Sequence, residues 1–199
     1  LHWRTLVNEG RLATLARWLE ELSWPEATVE PQLALVRAAL AAQTAQPADE
    51  VERWLAVAAA GARPGPLANG IVSIESCIAI LRCLYLTQGV TAAVAAARRA
   101  LELEPPGSGW RRQALIGLGQ ALYLQGEGDQ ARAPLLEAQR LPHARDHAPA
   151  SAAVLAYLAL VDLDAADLDS ATRRAHASFE LLEGHGLAES YVATTTHLA

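Results

Sequence analysis

The hydrophobic residues of this chain are spaced in a pattern that predicts helices, and the helices come in pairs. Four segments share one order: a long apolar helix, a short turn containing Gly or Asp, a second helix with one apolar face, and a break. In the clearest segment the first helix covers 114–125, the turn covers 126–129 and the second helix covers 130–141. Long alternating runs rich in Val, Ile and Thr, which are typical of strands, do not occur in the sequence. The pattern therefore predicts an all-α fold.

The other segments follow the same order. They place helix pairs at 32–43 with 51–60, at 71–87 with 93–103, and at 150–163 with 168–183. A small or apolar residue opens each second helix, and the successive spacings are 42, 38 and 40 residues; these residues are Val51, Ala93, Ala131 and Ala171. At the two ends, 10–22 is expected to be a second helix whose partner is partly lost, and 187–198 a first helix without its mate.

This order of helices and turns resembles the tetratricopeptide repeat. Leu118 and Gly119 occupy the small-residue site where paired helices cross, Gly126 makes the turn, and Leu135 and Ala138 continue the inner face of the second helix. The run AVAAARRALEL followed by Pro105 is similar to the end of the repeat motif. The period near 40 is longer than the usual period of about 34, which weakens any transfer of the family's peptide-binding positions.

The resemblance implies a right-handed superhelix of antiparallel helix pairs, a tetratricopeptide-like solenoid of about 10–11 helices in one domain over 1–199. The expected units are roughly 1–24, 31–61, 68–104, 108–141, 147–184 and a partial unit at 187–199. Because the sequence starts with Leu1, contains no Met and has apolar ends, we expect it to be a fragment of a larger protein.

Composition and charge exclude several function classes. All 16 basic residues are Arg, so a phosphate-binding loop of the G-x-x-x-x-G-K-[ST] type and Schiff-base catalysis by Lys are ruled out within this sequence. The net charge is −6 and the arginines are scattered, so direct contact with nucleic acid is not expected. No secretory signal or membrane-spanning run is recognised, and we expect a cytoplasmic protein. Cys77 and Cys83 match neither a zinc pattern nor a disulfide framework and are expected to be buried free thiols.

A second resemblance comes from the N-terminal part. Residues 10–19 read GRLATLARWL, and 33–38 read LALVRA after a loop containing Pro25 and Pro31. These motifs resemble the helical sensor region of large ATP-dependent LuxR-type transcriptional regulators of the MalT-like class. The resemblance implies a nucleotide-binding module and a DNA-binding module outside this chain, with the superhelix sensing a small effector or a regulatory protein and controlling self-association.

Two charged residues interrupt the apolar helix at 71–87. Glu75 and Arg82 are seven residues apart and therefore share a helix face, and Arg37 of the preceding first helix is placed to reach Glu75. Charges in such a helix are either paired or line a cavity. A structural ion pair between stacked repeats is favoured over a polar anchor for a ligand.

First helices line the concave groove of tetratricopeptide arrays. By register, Ser76, Arg82 and Cys83 of one unit are candidates to face the groove, and the next two units add Gln113, Gln120, Tyr123 and Tyr157. For each residue taken alone, a packing role is favoured over a binding role. The tryptophans are also expected to be packing residues; Trp18 and Trp54 are placed at core positions of second helices.

The sequence offers little chemistry for catalysis. His143 and His147 have helical metal spacing, but they lie in a connection and have no third ligand nearby in sequence, so neither a metal nor another cofactor is expected. No nucleophile elbow surrounds any Ser. The sequence therefore predicts a non-catalytic binding domain: a sensor that takes an effector in its groove or, alternatively, a general scaffold that binds a peptide there.

Overall fold

The computed structural model describes residues 6, 11–21, 30–141, 148–187 and 196. Nine helices occur in this part of the chain and no strand does. They are α1 (Leu12–Glu21), α2 (Pro31–Gln43), α3 (Ala48–Ala60), α4 (Ile74–Tyr85), α5 (Val90–Leu103), α6 (Arg111–Leu124), α7 (Gly128–Arg140), α8 (Ala148–Asp164) and α9 (Leu168–Glu183). The predicted all-α class and the four predicted helix pairs are confirmed. The terminal helix predicted over 187–198 falls almost wholly outside the described residues.

Each helix packs against the next helix in the chain. The first helices of the pairs, α2, α4, α6 and α8, also pack against one another in that order. α1 packs on α2 as the second helix of a preceding pair would. This neighbour-to-neighbour order is consistent with a helical solenoid.

Burial differs between the two kinds of helix, as the sequence pattern predicts. The first helices are apolar nearly all round because neighbours surround them; α8 buries the consecutive residues Tyr157, Leu158 and Ala159, which point to different sides of the helix. The second helices bury one face only, and in α7 that face consists of Ala131, Leu135 and Ala138, which are all fully buried. The interior is made of stacked first helices with the second helices covering them.

Small residues set how closely the helices approach. A methyl group added to Gly119 of α6 would overlap the buried side chain of Leu135 in α7, which confirms the predicted crossing site. One added to Gly117 would overlap Cys83 in α4. α6 therefore uses two glycines, one towards its own partner helix and one towards the preceding first helix.

The start of α4 differs from the prediction. The helix begins at Ile74 rather than at residue 71, because Ser73 is extended and its Oγ accepts a hydrogen bond from the backbone N–H of Ser76 at 3.0 Å. Ile71 is fully buried although it lies before the helix, which explains why the apolar run extends further than the helix.

Candidate functional site

Two of the predicted residues, Tyr123 of α6 and Tyr157 of α8, are in contact. The rings of Tyr123 and Tyr157 meet edge to face, with centroids 6.1 Å apart and an interplanar angle of 62°. Gln120 lies one turn before Tyr123, and its Nε2 donates to the backbone oxygen of Leu84 at 3.4 Å. Gln120 and Tyr123 are half-buried, whereas Tyr157 is 7 % exposed. The two rings thus join α6 to α8, and Gln120 joins α6 to the backbone of α4.

The hydroxyl of Tyr123 lies in an acidic surrounding. Burial raises the pKa of Tyr123, and the nearby carboxylate of Asp164, at the end of α8, raises it further by its charge and by hydrogen bonding. Asp164 is exposed. The phenol therefore stays protonated at neutral pH and acts as a hydrogen-bond donor.

A similar contact joins α2 to α4. The Nε2 of Gln43 donates to the hydroxyl of Tyr85 at 2.5 Å, and both side chains are half-buried. Gln43 and Tyr85 stand near the ends of their helices, as Tyr123 and Asp164 do in theirs. Polar and aromatic side chains thus join successive first helices in two places, and neither Gln43 nor Tyr85 was among the residues predicted from the sequence.

Ser76 does not face an open groove, contrary to the prediction. It is fully buried, and its Oγ donates to Oε1 of Glu104 at 2.5 Å. Glu104 is 1 % exposed and also accepts from the backbone N–H of Val72 and from the hydroxyl of Ser108. These three donors satisfy the hydrogen-bonding needs of the buried carboxylate. The cluster therefore holds the segment before α4 against the segment that follows α5.

The candidate Gln113 and its neighbour Arg112 are both buried at the start of α6. Arg112 is 4 % exposed; its Nε donates to the backbone oxygen of Ala138 at 3.0 Å and its Nη2 to the hydroxyl of Ser151 at 2.9 Å. Burial lowers the pKa of Arg112. Gln113 is 9 % exposed and its Oε1 has no hydrogen-bond partner. Arg112 thus links α6 to α7 and α8, and Gln113 is not presented on the surface.

The structure does not bring Arg37 to Glu75. The Nη2 of Arg37 donates to the backbone oxygen of Leu19 at 2.8 Å, and its guanidinium lies 4.8 Å from the ring centre of Trp54. Glu75 pairs instead with Arg99 on the next helix, where both side chains are at least half exposed. The rotation of α4 turns Glu75 towards its own partner helix and away from α2.

Arg82 forms an ion pair between neighbouring pairs of helices. Its Nη2 lies 2.7 Å from Oε2 of Glu52 in α3, and Thr87 and Gln88 donate to the same carboxylate. Partial burial alone would raise the pKa of Glu52, but the hydrogen bonds and the charge of Arg82 lower it overall. Arg82 therefore forms a structural ion pair between stacked repeats, as expected for a charge in this helix. Its partner, Glu52, was not predicted.

The cysteines are free and buried, as predicted. Burial raises the pKa of each thiol to about 12, and for Cys77 the charge of Glu104 adds to the effect. Thiols held protonated in this way are poor nucleophiles. Cys83 contacts α6 at Gly117 rather than facing a groove.

The tryptophan predictions have different outcomes. Trp54 is buried as expected, and its Nε1 donates to Glu50 at 2.8 Å. Trp18 is 41 % exposed, so its predicted core position is wrong. Trp3, Trp24, His143 and His147 lie outside the described residues.

Two other kinds of feature do not occur in the part of the chain that the structure describes. No group of three or more His, Cys, Asp or Glu side chains is arranged to hold a metal ion. No described helix combines the length and the apolar character needed to cross a bilayer.

Comparison with known proteins gave no relative: no family model, no curated protein and no solved structure matches this chain.

Proposed function

We propose that this chain is a non-catalytic sensor domain of a bacterial transcriptional regulator, a tetratricopeptide-like superhelix that binds an effector or a regulatory protein and controls self-association. The G-R-x-x-x-L-x-x-W-L and L-x-L-x-R-A motifs support the regulator class by their resemblance to the MalT-like sensor region. The order of helix contacts supports the repeat architecture. On this proposal the protein works in the cytoplasm, and DNA is bound by another part of the regulator.

One observation carries the binding role: the rings of Tyr123 and Tyr157 meet between α6 and α8, and Gln120 lies one helical turn before Tyr123. Tyr123 offers a protonated hydroxyl and an aromatic ring edge, and Gln120 offers a carbonyl oxygen together with its donor nitrogen. A mixed set of aromatic and polar groups that is partly covered favours a small polar ligand over an extended peptide. The concave face of the superhelix is accordingly assigned to the effector.

Ligand titration of the chain, followed residue by residue by NMR, tests this assignment. We expect a binding metabolite from a small-molecule panel to shift the amides of α6 and α8 first. The variant Tyr123→Phe, which keeps the ring and removes the hydroxyl, should weaken binding about tenfold, the size expected when one polar partner is lost. Arg173→Gln, on the outer side of α9, is the matched control and should bind normally.

The regulatory half of the proposal is tested separately. Sedimentation velocity with and without the ligand should show a change in self-association, and the coding sequence beside this segment should encode a phosphate-binding loop before it and a helix-turn-helix after it. Chemical-shift changes confined to other helices would contradict the proposed binding site. Flanking sequences without those modules would contradict the assignment to a regulator. Preferential binding of a peptide would favour the general scaffold.

A further inference from the structure

Four equivalent grooves separate the successive helix pairs. Each inter-unit groove is bounded by one second helix, the C-terminal half of the next first helix, and the start of the helix that follows. Each first helix is followed by a residue in the left-handed conformation. The side chain four residues before that residue either lines the groove or forms a contact across it. From the first groove to the fourth, these side chains are Ala41, Arg82, Leu122 and Asp162.

In two of these grooves, a carboxylate of the protein itself forms a contact across the groove. In the second groove, Arg82 holds Glu52, which also accepts from Thr87 and Gln88. In the fourth groove, Asp162 is 1 % exposed; its Oδ1 lies 2.6 Å from Arg132 of α7, and its Oδ2 pairs with Arg174 of α9. Each bridge places a carboxylate against an arginine between neighbouring units.

The first groove has an arginine but no such carboxylate. With Ala41 at the equivalent position, a cavity of about 470 Å³ stays open between α1, α2 and α3. Arg37 lines it, and the Nε of Arg37 is buried without a hydrogen-bond partner. A buried donor that is left unsatisfied costs about 1–3 kcal/mol. Arg37 is therefore a cation at the wall of an open cavity, and its guanidinium contacts a backbone oxygen and an aromatic ring rather than a carboxylate.

The acidic side chains around this cavity do not pair with Arg37. Glu50 accepts from Trp54 and from two nitrogens of Arg53. Glu20 is exposed on α1. The rest of the wall is largely apolar and includes Ala16, Leu19 and Leu40.

The third groove lacks this combination. It is also open, with about 360 Å³ and Leu122 at the equivalent position. Its arginine, Arg98, is exposed, and its acid, Glu127, accepts from Gln130. The open third groove provides an internal control for the first.

We propose that the first inter-unit groove is a binding site for a small organic acid, whose carboxylate pairs with Arg37 and whose apolar body lies against Leu19, Leu40 and Trp54. The ligand provides the carboxylate that Glu52 provides in the second groove and Asp162 provides in the fourth. An arginine pairs with a carboxylate through charge-assisted hydrogen bonds, and 470 Å³ is within the usual size of small-molecule pockets. This site is separate from the first-helix face assigned to the effector above.

The probes are phenylacetate and hexanoate, each compared with its neutral amide. Isothermal titration of the whole chain should show binding of the acids and at least tenfold weaker binding of the amides. Arg37→Gln should also weaken binding of the acids at least tenfold. Arg98→Gln, in the third groove, should leave it unchanged.

The sharper test builds the missing carboxylate into the protein. Ala41→Asp puts an acid where Asp162 stands in the fourth groove, so it should occupy Arg37, abolish binding of the acids, and leave the urea unfolding midpoint equal or higher. A folded Ala41→Asp protein that binds phenylacetate like the unmodified chain would overturn the proposal. So would equal binding of acid and amide, loss of binding in Arg98→Gln, or no binding of either acid at millimolar concentration.

Discussion

At the scale of single residues, the turns after the first helices all use a left-handed backbone. In chain order, the first residue with positive φ in each of these turns is Ala45, Leu86, Gly126 and Ala166. Only one of the four is glycine, although a side chain in this conformation costs about 1–2 kcal/mol. All four turns were predicted from the sequence, because each contains Gly or Asp. At Ala45, Leu86 and Ala166 the residue type does not indicate the left-handed conformation, which the helix contacts on either side impose.

Exchanging glycine and alanine between equivalent turns tests this strain. Ala166 is exposed at φ 59°, so Ala166→Gly removes no packing and should raise the free energy of unfolding by about 0.5–1 kcal/mol. Gly126→Ala, at φ 83°, should lower it by about 1 kcal/mol. Urea unfolding measures both. Gly107→Ala is the control, because nothing lies near its added methyl group and its φ is not in the left-handed region; equal effects in all three variants would contradict the interpretation.

At the scale of the helices, close crossings depend on the two glycines of α6. Gly117→Ala should lower the free energy of unfolding by about 2 kcal/mol, because the new methyl group overlaps Cys83 by both side chain and backbone. The gain in helix propensity, about 1 kcal/mol, only partly offsets this overpacking.

A second substitution separates overpacking from other causes. Adding Cys83→Ala to Gly117→Ala removes the overlapping sulfur but not the backbone contact, so it should recover part of the loss relative to Cys83→Ala alone. A double-mutant cycle measured by urea unfolding gives the coupling. Additive effects of the two substitutions would show that α4 and α6 do not press together at this point.

Helix contacts also decide which ion pairs matter. Asp162 is buried and bridges Arg132 and Arg174, so Asp162→Asn should lower the free energy of unfolding by about 2 kcal/mol; this is below the usual cost of breaking a buried pair because both arginines are partly exposed. Glu75→Gln breaks the exposed pair with Arg99 and should change stability by less than about 0.5 kcal/mol. Chemical unfolding of the two variants side by side makes the comparison, and a larger loss for Glu75→Gln would contradict it.

The helices themselves were predictable, whereas the partners of their polar side chains were not. Apolar periodicity and turn residues fix the helix pairs because burial of one face is a local property of the sequence. Arg37 and Glu75 were predicted to meet because their positions in successive first helices are similar. Which face each side chain occupies depends on helix rotation, and rotation places Arg37 on Trp54 and Glu75 on Arg99. Glu104 was missed because a glutamate before Pro105 is ordinarily solvated, and two of its three donors, Val72 and Ser76, are distant in sequence.

At the scale of the molecule, the core runs through neighbouring units. One cluster of buried residues extends from α1 to the start of α6, a second from α5 to α8, and Leu84 and Leu101 pack against both. Within the described residues each helix contacts chiefly the next helix and the next but one. Stability is then expected to be a sum of units and interfaces, so a change at one interface is felt by the whole array only through its neighbours.

Both cysteines are buried, and their protonation links the stability of the fold to pH. In the folded chain their pKa values are about 12, whereas an unfolded thiol titrates near pH 8.5–9. Below that pH both states hold the protons, and above it only the unfolded state releases them. The contribution of the thiols is therefore complete below about pH 9 and is lost as the pH rises towards 12.

Urea unfolding at pH 8 and pH 10 under reducing conditions measures this loss. At pH 10 the two thiols together should lower the free energy of unfolding by about 2.5 kcal/mol relative to pH 8. The variant with Cys77→Ala and Cys83→Ala starts from a lower stability, because each substitution leaves a small void, but should lose about 2.5 kcal/mol less over the same pH interval. The other ionisable groups are the same in both proteins, so their contributions cancel in the comparison. Parallel pH profiles would mean that the thiols are not protected by burial, and rapid alkylation of the folded chain at pH 8 would lead to the same conclusion.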